Sequence, residues 1–143
     1  MIPTVIDTGV LVSGIYWRHE PHLCVRAWLR GLIVPVVSDS IYSEYDRVLH
    51  EVKNEQGFQT NLEPWLAAIR KSALWITPVS LAERVCRDDN DDKFIGAALA
   101  AGAKTVIARD RDLTLLEKPF GIAILTPRQL LAALPRTARR KLG

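Results

Sequence analysis

The chain is poor in the residues that most often betray an active site. Only two of its 143 residues are cysteines, Cys24 and Cys86, too few and too far apart for a disulfide framework or a structural zinc site. Both are expected to be buried thiols. Only three are histidines, His19, His22 and His50, and none joins Ser13, Ser38 or Ser40 and an aspartate in a triad-like order, so a serine nucleophile has no base to activate it. The histidines are expected to face solvent. No apolar run approaches the roughly 20 residues that span a bilayer, and residues 1–7 carry no basic stretch leading into an apolar one. The reading is a cytoplasmic protein with no membrane partner. Gln/Asn-rich and Gly/Ser-rich segments are also missing, which argues against disorder, and a composition of 48% hydrophobic and 24% charged residues is that of a globular chain. A length of 143 residues suits one domain with its own core.

Charge is present in quantity and unevenly placed. The formal net charge is +3, yet Arg136, Arg139, Arg140 and Lys141 crowd the C-terminal end while Asp88, Asp89, Asp91 and Asp92 fall within five positions. The division expected is a domain over residues 1–134 followed by a basic tail over 135–143. Such a tail beside an acidic cluster suits a nucleic-acid or protein partner.

Hydrophobic periodicity predicts strands at residues 4–6, 33–37, 74–79, 105–108 and 121–125, separated by helical patterns. Pro35 marks its strand as an edge or a strand start. Helices are expected over residues 10–17, 21–30, from about 40 to 53, 62–73, 93–101, 113–117 and 127–134, with a polar linker at 54–61. Strands alternating with helices predict a three-layer α/β fold on a mainly parallel, roughly five-stranded sheet, with no internal repeat.

In a parallel sheet of this kind ligands bind beyond the carboxyl ends of the strands. Asp7 directly follows the first predicted strand and Asp110 the fourth. A right-handed crossover from the third strand brings the start of the next helix, with Asp91 and Asp92, to the same edge, and Glu44 lies one to two turns into the helix after the second strand. One aspartate suffices as a helix cap, and like charges packed into five positions repel, so capping leaves most of the acidic cluster unexplained. Taken singly, Asp7, Asp110 and Asp112 could be turn formers and Glu44 a solvated acid. Together they converge on one rim, where a hard divalent cation, Mg²⁺ or Mn²⁺, would relieve their repulsion. Lys93, Arg109 and Arg111 sit beside these acids in sequence, either to hold a phosphate backbone or to pair with neighbouring aspartates. The four tryptophans fall mostly on apolar patterns and are expected in core or interface packing.

The stretches VIDTGVLVSG, VVSDSIYSEYDRVL and DDNDDKFIGAALAAGAKTVIARDRDL resemble the PIN-domain family, small metal-dependent nucleases that include the VapC-type toxins of toxin–antitoxin pairs. The resemblance is spread over almost the whole chain. It implies a PIN-like α/β/α fold in which Asp7, Glu44, Asp92 and Asp110 hold one or two Mg²⁺ or Mn²⁺ ions and cut RNA, with Asp112 and Asp91 as auxiliary or alternative ligands. It also implies an antitoxin partner. Two positions depart from the family pattern: Gly9 stands where Asn is usual, and Ala108 where a Thr or Ser commonly precedes the fourth acid by two residues.

Two other readings compete. A catalytically degenerate module that binds nucleic acid or docks an antitoxin is compatible with both departures. A phospho-receiver is disfavoured, because 77–79 supply no acceptor aspartate after the third strand and 125–127 no lysine after the fifth. Self-association as a homodimer could use the face of Leu62, Leu66 and Ile69.

Overall fold

The structure, a computed structural model, describes residues 2–80, 92–109, 111–116 and 118–142, apart from the side chains of Arg111 and Asp112. The chain opens with β1 (Ile2–Ile6), α1 (Thr8–Tyr16), α2 (Glu20–Leu29) and β2 (Ile33–Val37), followed by α3 (Asp39–Gln56), α4 (Glu63–Ser72) and β3 (Leu74–Trp75). Beyond residues 81–91 come α5 (Asp92–Ala101), β4 (Thr105–Ile107), α6 (Arg111–Thr114), β5 (Ala123–Leu125), α7 (Pro127–Ala133) and α8 (Arg136–Arg140).

The five strands form one sheet in the order β3-β2-β1-β4-β5, and every pairing is parallel. Helices cover it to give the three-layer α/β/α architecture anticipated from the alternating pattern. β1 sits at the centre, with Val5 and Ile6 in register with Val106 and Ile107 and Ile2 with Ile33. The chain winds from β1 towards β3 on one side and from β4 to β5 on the other, so the winding direction reverses between β1 and β4. Such a reversal opens a crevice at the carboxyl ends of the two strands.

The sheet's inner residues, Val5, Ile6, Val36, Val37, Val106 and Ile107, are buried with Phe94, Ile95, Ala97 and Ala98 of α5. A small residue on α5 also lets the segment that leaves β3 pass close by: a Cβ on Gly96 would lie 2.5 Å from the carbonyl oxygen of Val79. α3 starts where the Ser38 side chain accepts a hydrogen bond from the Ile41 N–H at 3.2 Å and stops at Gly57, whose φ of 69° suits a residue without Cβ.

Several local expectations shift. α3 runs on through Gln56 into the predicted linker, because nothing before Gly57 breaks it. The third strand keeps only two of its six expected residues. β2 lies inside the sheet despite Pro35: the Ile76 N–H donates to the Val37 carbonyl, so by alternation Pro35 faces the β3 side, ahead of where β3 begins, and its missing N–H costs no ladder bond. The basic C-terminal segment forms α8, and Leu142 beyond it is buried in the main core.

Cys24 of α2 is buried, and its thiol is pushed up to about 12, first by burial and then by the charge of Glu20. It therefore stays protonated in the folded state well above the ordinary thiol value of about 8.5. Its contribution to stability is complete below that value and is lost as pH rises towards 12. At pH 8, a disulfide reagent is expected to modify Cys24 only after denaturant is added. Rapid native modification, localised to Cys24 by peptide mapping, contradicts this burial.

Candidate active site

Asp7 is placed by the end of β1. Its N–H donates to the Ile107 carbonyl at 2.9 Å, tying the ends of β1 and β4 together, and its carbonyl accepts from the Leu11 N–H at 3.1 Å to begin α1. Although Asp7 is the N-cap residue, its side chain makes no capping bond. The residue is only 8% exposed, at the carboxyl end of β1. A Cβ at Gly9 would meet nothing nearer than the Asp7 Oδ2 at 3.8 Å, so the glycine leaves space beside that carboxylate where a larger side chain could stand.

Glu44 reaches the same place from α3. Its Oε2 accepts a hydrogen bond from the Thr8 hydroxyl, and its Oε1 pairs with the Lys93 Nζ at 2.7 Å, with side chains only 13% and 15% exposed respectively. Thr8 follows Asp7 and Lys93 follows Asp92, so these contacts bring the carboxyl end of β1, the second turn of α3 and the first turn of α5 together. The neighbouring Tyr45 donates its hydroxyl to the Ile6 carbonyl. That phenol is raised well above its ordinary value, first by burial and then by the charges of Asp7 and Glu44. Both carboxylates therefore act electrostatically on one buried hydroxyl, a mark of their proximity.

Asp92 opens α5 half-buried. Asp91 and Asp110 lie outside the described residues, and Asp112 falls in α6, where its backbone alone is described. Among the described residues no three potential ligand side chains gather into a metal cluster. The donors present are nonetheless suited to Mg²⁺ or Mn²⁺: carboxylate oxygens fixed at low exposure, with neither histidine nor cysteine among them. Ala108, buried at the end of β4, donates its N–H to the Leu125 carbonyl at 2.9 Å and brings no hydroxyl to the rim.

Lys93 pairs with Glu44 from a different helix, a partner that sequence adjacency does not suggest. Thr8 and Tyr45 were not singled out from sequence. The signal available was their position, each directly after a candidate acid. Among the histidines, His19 and His50 are exposed, whereas His22 is half-buried with its Nδ1 2.8 Å from the Gly14 carbonyl oxygen. Trp28 is buried as expected, while Trp17 and Trp75 are each 39% exposed.

No described helix is long and apolar enough to cross a membrane. No curated protein matches the chain. The family model described as PIN domain matches residues 3–112, a span that runs from within β1 past the end of β4 and includes Asp7, Glu44 and Asp92. The chain belongs to the PIN domain family, a nuclease-type fold whose members generally use divalent metal ions.

Proposed function

We propose that the protein is a metal-dependent endoribonuclease, and the toxin of a type II toxin–antitoxin pair. The observation that supports the activity most directly is the convergence of Asp7 and Glu44 at the sheet's winding reversal, with the first turn of α5 beside them. In this reading Asp7, Glu44, Asp92 and Asp110 hold Mg²⁺ or Mn²⁺, with Asp91 and Asp112 in supporting positions. The bound ion would supply charge stabilisation on the phosphate oxygens and a more acidic water. The chain's own residues set the stage for that chemistry. Thr8 and Lys93 orient the Glu44 carboxylate, Tyr45 fixes α3 to the backbone of β1, and Arg109 offers a cation for the RNA backbone. The basic extension over residues 135–143 is proposed as a contact for RNA or the antitoxin, in a cytoplasmic setting.

One observation favours a second reading. Both oxygens of Glu44 are already engaged, one by Thr8 and the other by Lys93. Such a satisfied acid fits a degenerate module that binds nucleic acid or docks an antitoxin without cutting.

One assay separates them. Purified protein is incubated with mixed RNA in Mg²⁺, in Mn²⁺ and in EDTA, and the products are resolved on denaturing gels. The nuclease reading expects new fragments with either or both ions and none in EDTA. Intact RNA with both ions favours the degenerate module, and equal degradation in EDTA rejects a metal-dependent enzyme.

A further inference from the structure

Two hollows adjoin at the carboxyl ends of β4 and β5, the edge at which the Ile107 carbonyl holds the Asp7 N–H. The smaller, of about 310 Å³, is lined by Ser13, Trp17, His19, Pro21 and Arg109. The larger, of about 550 Å³, shares His19, Pro21 and Arg109 and continues to Thr126 and Arg128. The shared residues make the two into one trough. It runs from the turn between α1 and α2, past the end of β4 at Arg109, to the end of β5 at Thr126. Its volume falls within the range of about 300–1,000 Å³ usual for ligand sites, but it is open along its length. That shape suits the passage of a chain better than the enclosure of a small molecule.

The chemistry of the walls narrows the occupant. Arg109 and His19 are exposed, and among the described lining residues the one acid, Glu20, is paired with Arg128 at 3.1 Å. Arg109 places a guanidinium at the middle of the trough, with the His19 imidazole beside it as a hydrogen-bonding group. At one end Trp17 is 39% exposed and is braced edge-on by Tyr16 at 5.9 Å and Phe58 at 5.7 Å between ring centroids. A braced indole beside a guanidinium and an imidazole offers a stacking surface one step from a phosphate clamp. Base stacking on Trp17 needs an unpaired base, because duplex bases are already stacked on one another.

We propose that this trough binds a single-stranded nucleic-acid segment leading away from the acid crevice, with Arg109 and His19 on a phosphate and a base stacked on Trp17. The substrate class rests on the nuclease reading above, but the trough is tested without cleavage. A short fluorescein-labelled single strand of mixed sequence, as RNA and as DNA, is titrated in EDTA and followed by anisotropy over a range of salt. A duplex of the same sequence serves as competitor.

The expected result is that Arg109→Gln weakens single-strand binding by about 10-fold and reduces the slope of log affinity against log salt by about one. Trp17→Ala weakens it by about 10-fold with the slope unchanged, since stacking releases no counterion. Because Trp17→Ala also thins the cluster with Tyr16 and Phe58, Trp17→Tyr is included and is expected to restore most of the affinity. Wild-type affinity in both Arg109→Gln and Trp17→Ala overturns the trough, as does duplex binding as tight as single-strand binding. Loss of binding in both variants, with RNA left intact by the wild type in Mg²⁺ and Mn²⁺, upholds the trough and rejects the nuclease. Metal-dependent cleavage with binding unchanged in both does the reverse.

Discussion

Asp7→Asn is expected to lower metal-dependent RNA cleavage by about a thousandfold, equivalent to about 4 kcal/mol of transition-state stabilisation. The substitution exchanges one carboxylate oxygen for an amide group of the same size. The backbone bonds from the Asp7 N–H to Ile107 and from the Leu11 N–H to the Asp7 carbonyl use no side-chain atom and persist. What changes is charge at a site only 8% exposed, where an anion and a neutral amide differ most in their hold on a divalent cation. Single-turnover cleavage in saturating Mn²⁺ measures the rate, and circular dichroism with thermal melting checks the fold. Asp39→Asn, at an exposed acid in the first turn of α3, should cleave like wild type. If Asp7→Asn cuts within a few-fold of wild type while still folded, Asp7 has no part in the chemistry.

Gly96→Val should cost roughly 3 kcal/mol of stability and lower the melting temperature by roughly 10 °C. The Cβ would stand 2.5 Å from the Val79 carbonyl oxygen, a backbone atom that cannot rotate aside as a side chain could. The segment leaving β3 has to lift, and with it goes the 3.1 Å bond from the Val79 N–H to the Gly96 carbonyl. Overpacking of this kind costs about 1–3 kcal/mol and the lost hydrogen bond about 1. Removing a mid-helix glycine returns at most about 1 kcal/mol, so the clash prevails. Gly57→Ala is the informative comparison: no atom lies within 4 Å of its Cβ, and only the φ of 69° opposes it, at about 1 kcal/mol. Thermal denaturation of both variants decides the matter. A Gly96→Val protein that melts within a degree or two of wild type means that the Val79 strap does not hold α5.

The parts of this fold that were legible in the sequence are those written locally. Val5-Ile6-Asp7 announces a buried strand ending in an acid, and Ser38 three residues before Ile41 announces a helix start. Alternation of such segments is enough to predict a parallel sheet and, through right-handed connections, the edge where the acids meet. What sequence could not convey depends on contacts between distant segments. Lys93 has aspartates on its N-terminal side yet reaches Glu44, because the crossover sets α5 against α3. Pro35 reads as an edge signal since sequence does not reveal that β3 is too short to need its N–H. Trp17 sits on an apolar pattern, but the turn after α1 carries it to the surface, where Tyr16 and Phe58 brace it. The positions of Asp91 and Asp110, which the sequence argument joined to the same rim, lie outside the described residues.

The central place of β1 bears on how the protein is made. Its residues leave the ribosome before those of the other four strands, yet Val5 pairs with Val106 and the Asp7 N–H with the Ile107 carbonyl. These partners emerge about a hundred residues later, and parallel pairings so far apart in sequence form late because a long loop must close first. A ribosome-bound fragment that ends before β4 carries Asp7 and Glu44 but lacks the strand that fixes the end of β1. The crevice is therefore assembled only once β4 has been made, and a growing chain that has reached β3 still lacks it.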